Sequence, residues 1–576
     1  MKFCIYNLTD ALIEASIGFV ESIHEEKGSD KANIRLQPGK STTISKFRVK
    51  YVLLHGSSNL PDDPPELFRV SLPGFWAKRG ASWKAVKVEN EGRCPWRLYW
   101  FWPAKALVVV PRRDMASFLS ELPDSLSLAS LVLPGTHDTM AFYGWPISQC
   151  QSRSTPLSTQ FLQGIRVIDV RLAVIPVIPV PKASNGAPGI PFPPGKMAEA
   201  QNASAETSLP TPQYKLVAYH GIYPQRTPFS TILSSIHTFL TSPAGCKETI
   251  VMSIKQEDFS VTPGTLFSRL VREEIQRSPG GFKDTDDKGN RDLGIWFLEN
   301  RVPTLGEARG KCVLLSRFGI EGAEWEGGWE GMGIHPLHWP NSEKRGFVWY
   351  LKGTAIRTHD WYAIPSFLSI PEKTALSILV LQPSVPFPLT FPLVPSPEGG
   401  EEKEGGVGGY PMLNITYLSA AMFPLALPPT VAKGAGWPGF KLGFEGVNAR
   451  VGRWLLEELV PDLKTFSTVK SASAPKAPEN GYGAVKQAPV DDARQKKRRE
   501  GLRWLRPKPT RKSCDTPLLE DALFPAALDE TVLAPASRIR GWALMDYYSS
   551  EKSKALVPLL VEFNHRGRRS GEEGWP

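Results

Sequence analysis

The chain has 576 residues, 41% hydrophobic and 22% charged, with a formal net charge of +10. That much apolar material excludes a wholly disordered chain, and the length predicts a large core and more than one domain. No window reaches the roughly 18 uninterrupted apolar residues of a spanning helix, so the expectation is a soluble protein, at most peripheral on membranes.

The 6 cysteines (Cys4, Cys94, Cys150, Cys246, Cys312, Cys514) show no CxxC spacing. They offer neither a zinc signature nor a disulfide framework, and fit a reducing compartment. The first residues lack a basic stretch followed by a long apolar core and a cleavage site, so no signal peptide is read and the expected location is cytoplasmic. Much of the positive charge sits in one tract, Arg494 to Lys512. It has no accompanying aromatic or groove-reading motif, so no nucleic acid is expected as partner. The bland reading of such a run is a solvated linker.

Residues 1–110 read as β-rich: KFCIYNL, NIRL, KFRVKYVLLHG, RVSLP, WKAVKVE, RLYWFW and ALVVV are short apolar or alternating runs between turn residues. Their spacing predicts a sandwich-like accessory domain. From about residue 115 strands alternate with helical patterns, which predicts βα units. LVLPGTHDT (131–139) and GIRVIDVRL (164–172) are strands ending in ionisable residues, and VAYHG (217–221) is another ending in a histidine. PFSTILSSIHTFLTS carries Ile232, Ile236 and Phe239 at helical spacing, and TLFSRLVREEIQR is an amphipathic helix. ETIVMSIKQED and GKCVLLSRF are strands ending in Lys255, Glu257 and Asp258, and in Arg317. FVWYLK, LNITYLSA and GWALMDYYS supply later strands. Apolar runs with polar residues at their C-terminal ends predict an α/β barrel with its site on one face. Three low-complexity segments, 174–212, 383–410 and 466–535, are expected to be loops or disordered inserts.

Two histidines brought to one face suit displacement at phosphorus. One takes a proton from the attacking hydroxyl, and the other protonates the leaving oxygen. An imidazole titrating near about 6.5 serves both tasks. His137 and His220 are the pair, Asp138 and Asp546 are candidate orienting carboxylates, and Arg171 is a fork for phosphate oxygens. Singly, each histidine reads more readily as a structural residue.

LPGTHDT, GIRVIDVRL, AYHGIYP and ETIVMSIKQED, in that order, resemble the X-domain core of phosphatidylinositol-specific phospholipase C, in its bacterial-type, metal-independent branch as also found in fungal proteins. The likeness continues through GKCVLLSRF, HDWYAIPSFLSIPEKT, LNITYLSA and WALMDYY, covering about 115–560 between the inserts; residues 1–110 fall outside it. The resemblance implies an irregular TIM-type barrel. It also implies attack by the inositol 2-hydroxyl, giving diacylglycerol and inositol 1,2-cyclic phosphate. By the same resemblance His137 is the base, Asp546 its orienting carboxylate, His220 the acid and Asp138 its partner. Arg171 then matches the arginine on the phosphate, and Asp169 the carboxylate two residues before it. Lys255, Arg317, Asp360 and Tyr362 match inositol-pocket positions.

The calcium-dependent branch resembles His-Asn-Thr at the first histidine, with an acidic cluster on the next strand. This chain has His-Asp-Thr and Asp-Val-Arg, and an arginine there would repel calcium. No metal and no cofactor are therefore expected. One departure is His359, which stands where the family often carries Gln. The expected partner is a membrane surface containing phosphatidylinositol, met by a monomer. Trp325 and Trp329, in the glycine-rich run 324–340, are the expected interfacial contacts, with packing against the barrel exterior as the alternative. The competing functions are an inactive barrel that binds inositol phosphate or lipid, and a phosphodiesterase acting on another ester such as a glycosyl-phosphatidylinositol anchor.

Overall fold

The computed structural model describes residues 3–19, 31–44, 49–56, 66–73, 81–144, 149–177, 213–258, 261–285, 292–319, 325–382, 412–438, 442–468, 529–551, 553, 555–571 and 575.

The first part is two stacked sheets. One runs Asp529–Val532, Lys40–Ile44, Phe3–Asn7, Ala106–Pro111, Trp96–Phe101, Trp83–Ala85; the other runs Lys31–Leu36, Ile13–Phe19, Val49–His55, Leu67–Ser71. Strand side chains alternate between faces, and here both faces of the first sheet are buried. Phe3, Ile5, Trp96, Leu98, Trp100, Leu107 and Val109 meet Ile17, Leu54 and Phe68 of the second sheet. The alternate residues Tyr6, Tyr99, Phe101, Val108 and Val110 pack into the core of the α/β part. The Trp83 indole N–H donates across that junction to the Ala449 carbonyl at 2.7 Å.

Two strands of this sandwich, Ile13–Phe19 and Lys40–Ile44, were not among those expected from sequence. A third comes from far along the chain. Asp529–Val532 pairs antiparallel with Lys40–Ile44, inside the segment 466–535 expected to be an insert. That expectation is corrected at both ends, since Lys464–Thr468 is helical; the basic tract lies outside the described residues. Residues 174–177 likewise continue a strand and pair with 213–216. The rest of 174–212, and 383–410, lie outside the described residues.

The second part is a curled, mostly parallel sheet. Its order is Trp296–Phe297, Lys311–Arg317, Thr249–Gln256, Val167–Val177, Val132–Thr136, Gly541–Met545, Met412–Tyr417, Thr354–His359, and then Phe347–Leu351, which is antiparallel to its neighbour. Among the described residues no ladder joins the two ends. Helices cover it through apolar stripes. Phe229–Leu240 buries Phe229, Ile232, Leu233, Ile236, Phe239 and Leu240. Gly264–Arg277 buries Phe267, Val271 and Ile275, one turn apart. Each such side chain contributes roughly 1.5–3 kcal/mol when fully buried.

One strand differs from the expectation. Gln213–His220 is not a parallel member of the sheet but returns antiparallel along Val167–Val177 and turns into Tyr223–Pro228. His220 therefore comes back past Leu172, to the level of Arg171, from outside. No helix among the described residues is long and apolar enough to cross a membrane.

Candidate active site

The Val132–Thr136 strand lies close against its neighbour because residue 135 is glycine: a Cβ there would stand 2.8 Å from Val167 Cβ. Successive strand side chains normally point to opposite faces. The chain breaks that alternation just past the strand, where Asp138 has φ of 40°, so that His137 and Asp138 both turn toward one point. Tyr547, after Asp546, has φ of 47°. Such left-handed residues persist where the surroundings over-determine them. Here the Thr139 N–H donates to the Asp169 carbonyl. Gln151 Nε2 donates to the carbonyls of His137 at 2.8 Å and Met545 at 2.9 Å, stitching the two strand ends together.

His137 Nδ1 lies 2.9 Å from Asp546 Oδ1, which sets the ring's orientation. Its Nε2 is 3.2 Å from Asp138 Oδ2 and 3.1 Å from Arg171 Nη2. Asp138 Oδ2 is also 3.1 Å from His220 Nε2, and Asp138 Oδ1 is ion-paired with Arg171 Nε. A single buried carboxylate thus touches both imidazoles and the guanidinium. Arg171 Nη1 continues to Glu257 Oε1 at 3.1 Å, and that same oxygen accepts from the Gly221 N–H at 2.8 Å, fixing the turn that carries His220.

The second half of the site is deeper. Arg317 lies 3.6 Å from Asp169 Oδ1 and 3.7 Å from Asp360 Oδ2, donates to Tyr417 Oη at 3.2 Å, and stacks 3.9 Å over the Trp339 ring. Trp339 Nε1 donates to Asp360 Oδ2 at 2.9 Å. Asp169 sits behind the cavity wall. It accepts from Ser253 Oγ at 3.1 Å and from the Asp138 N–H at 3.4 Å, supporting Arg317 and the Asp138 backbone rather than facing the opening. The groups converge on a cavity of about 1030 Å³, into which His137, His220, Arg171, Lys255, Asp360 and Asp546 project. Tyr362, partly exposed, stands at its mouth.

The structure brings together all ten residues singled out from sequence. Sequence reasoning passed over Glu257 as a site residue, although it ends the same strand as Lys255. It also missed Trp339, Tyr417 and Cys150, whose Sγ lies 3.9 Å from Asp138 Oδ2; none of these carries a pattern of its own. His359 faces away from the cavity, toward Ser377 Oγ (3.3 Å) and the Lys344 carbonyl (3.2 Å). The expected interfacial tryptophans are corrected. Trp325 is buried against Phe282 and Phe318, with its N–H on Ser268 Oγ, and Trp329 is half-buried on the same core. Indoles among glycines gave no way to tell outward from inward rings.

The electrostatics follow from burial against opposite charge. Burial alone would lower the His137 pKa, but the Asp138 and Asp546 carboxylates outweigh it and hold the imidazolium up to about 9. Asp138 is pushed the other way: burial raises it, but Arg171, His137 and His220 together hold it well below the usual carboxylate range. Lys373, fully buried on the Ile370–Leu381 helix with no hydrogen-bond partner for its amine among the described residues, is pushed by burial down to about 7, against the pull of Asp360 and Asp546.

These shifts give opposite pH dependences of stability. The raised His137 contributes stability that is present below about 6.5 and is lost as pH rises through about 9. The depressed Lys373 imposes a penalty below about 7 that is relieved as pH rises toward about 10.4. Lys373→Met should therefore raise stability at pH 7 and steepen its fall between pH 7 and 9, read as urea midpoints. A variant whose midpoint instead rises over that range would contradict the assignment.

Among the described residues, three sets of donors drawn from His137, Asp138, Cys150, Asp169, His220 and Asp546 lie within 4.8 Å of one another, close enough to hold a cation. The Arg171 guanidinium contacts two of these donors, Asp138 and His137.

No protein-family model matches the chain. Over 204 residues it is 28% identical to the 1-phosphatidylinositol phosphodiesterase of Listeria monocytogenes. That alignment covers 34% of this chain and 48% of the relative, so the chain spans about half the length of the curated protein it matches. Among solved structures it is similar to the phosphatidylinositol-specific phospholipase C from Listeria monocytogenes, at 17% identity over 78% of this chain and 99% of that one, with a TM-score of 0.37. A pentafluoro-Phe-containing phosphatidylinositol-specific phospholipase C from Staphylococcus aureus gives 15% identity, 78% and 97% coverage and a TM-score of 0.39. Scores this low add nothing to the fold described above. The similarity that the sequence motifs carry is to the same family as these relatives.

Proposed function

We propose that the chain is a phosphatidylinositol-specific phospholipase C-like phosphodiesterase built on an irregular TIM-type barrel, needing no metal. The observation that carries this reading is the single Asp138 carboxylate in contact with His137, His220 and Arg171 at the cavity. In the reaction His137 Nε2 takes the proton of the inositol 2-hydroxyl, and that oxygen attacks phosphorus. The bond to the glycerol oxygen breaks and His220 delivers a proton to it, leaving diacylglycerol and inositol 1,2-cyclic phosphate. Arg171 neutralises charge on the non-bridging oxygens without reorganising. Lys255, Arg317, Asp360 and Tyr362 face the inositol hydroxyls. Access from a membrane surface fits the exposed Ile222 beside His220 and the exposed Phe423 and Leu368 near Tyr362.

Purified protein incubated with phosphatidylinositol vesicles and chelator should form cyclic inositol phosphate, seen by phosphorus NMR. No product with or without calcium, but retained vesicle binding, would favour a binding barrel. Product only after calcium is restored would overturn the role given to Arg171.

A further inference from the structure

A second cavity, of about 710 Å³, opens where the sandwich meets the α/β part; it shares no lining residue with the histidine cavity and is lined by Arg97, Arg112, Arg113, Glu91, Asp114 and Tyr548 among others. Its charges are not balanced. Arg113 is neutralised by Glu562 at 3.0 Å and Glu121 at 2.6 Å. Asp114 is spent on the Ala116 N–H and the Ser117 hydroxyl. Among the described residues, Arg112 reaches the backbone carbonyl of Glu91 and no carboxylate. Arg97 has a buried Nε with no hydrogen-bond partner among the described residues. It projects from the Trp96–Phe101 strand on the face of Tyr99 and Phe101, toward the α/β part. Glu91, exposed at the rim, is the one lining carboxylate left to set against two guanidinium groups.

A guanidinium does not lose its proton, so burial beside a second cation must be offset by an anion. Burial and the Arg112 charge both work against the charged form of Arg97. Two planar forks, one on the Trp96–Phe101 strand and one just past the end of its neighbour Ala106–Pro111, suit an oxyanion with several acceptors, which they can grip in bidentate fashion.

We propose that the Arg97–Arg112 cleft is a second anion site that takes a phosphate monoester, separate from the catalytic cavity. Its occupant would bridge the sandwich and the α/β part, because the cleft is lined from both. This assignment does not depend on what the histidine site cleaves.

Isothermal titration of the full chain with inorganic phosphate, and with a soluble inositol monophosphate, tests it, alongside flotation on vesicles carrying phosphatidylinositol 4-phosphate. Arg97→Met should weaken one phosphate site by about tenfold or more, the scale of a lost charge-assisted fork. Arg171→Met should leave that site intact. Arg97→Lys, which keeps the charge but not the fork, should fall between, and the thermal midpoint of ligand-free Arg97→Met confirms that it is folded. Binding by the soluble phosphates assigns the occupant to a soluble source, and binding by the vesicles alone to a lipid headgroup. Phosphate affinity equal in wild type and Arg97→Met, or binding abolished by Arg171→Met alone, overturns the proposal.

Discussion

His137→Ala is expected to lower the rate of phosphodiester cleavage by about 10²–10⁴, the usual worth of a positioned general base, and His220→Ala by a similar factor. The two losses should separate when the leaving group is changed. A nitrophenyl phosphodiester of inositol expels an anion that needs no proton, so His220→Ala should regain most of its rate on it. His137→Ala should not, because the attacking hydroxyl still has to lose its proton. Equal losses on both substrates would refute the division of labour. The wild-type profile of kcat/KM should also rise with pH until His137 is deprotonated, toward about 9, because Asp138 and Asp546 hold its proton on in the empty site.

Asp138→Asn is expected to cost at least as much activity as either histidine variant, since the lost charge contacts both imidazoles and Arg171. Adding His220→Ala to it should lower the rate little further, because groups acting as a unit are not additive. The same variant leaves buried cations without their counter-charge, a loss of about 3 kcal/mol on the scale of a broken buried pair. The sign with pH is clear. Asp138 is held below its ordinary pKa, so its contribution is full above about 3.9 and fades only in stronger acid. The urea midpoint at pH 6 should therefore separate wild type from variant. Full activity of Asp138→Asn would remove the central element of the proposed mechanism.

The relation between these residues was partly legible in the chain itself. His137 and Asp138 are adjacent, Asp169 and Arg171 share one strand, and the motifs around them keep the order of a known family. Strand-ending ionisable residues on apolar runs mark a site because burial there is costly without partners. The amphipathic helices at 229–240 and 264–277 could be read too, because helical spacing is local. Less legible were features that depend on distant packing. Trp325 turns inward because Phe282 and Phe318 receive it, and nothing in its own neighbourhood of glycines announces them. Asp529–Val532 joins the sandwich only because Lys40–Ile44 presents an edge.

What the sequence determined alone was the list of candidate site groups and their arrangement on strand ends, since residue identity and periodicity are local properties. What only the tertiary structure decided was how those groups share charge. The return of His220 on an antiparallel hairpin, and the left-handed turn at Asp138, place both imidazoles on one carboxylate. The Arg97–Arg112 cleft exists only because the sandwich meets the α/β part there. Contacts between residues hundreds of positions apart depend on which surfaces the folded chain brings together, and no short stretch of sequence records that.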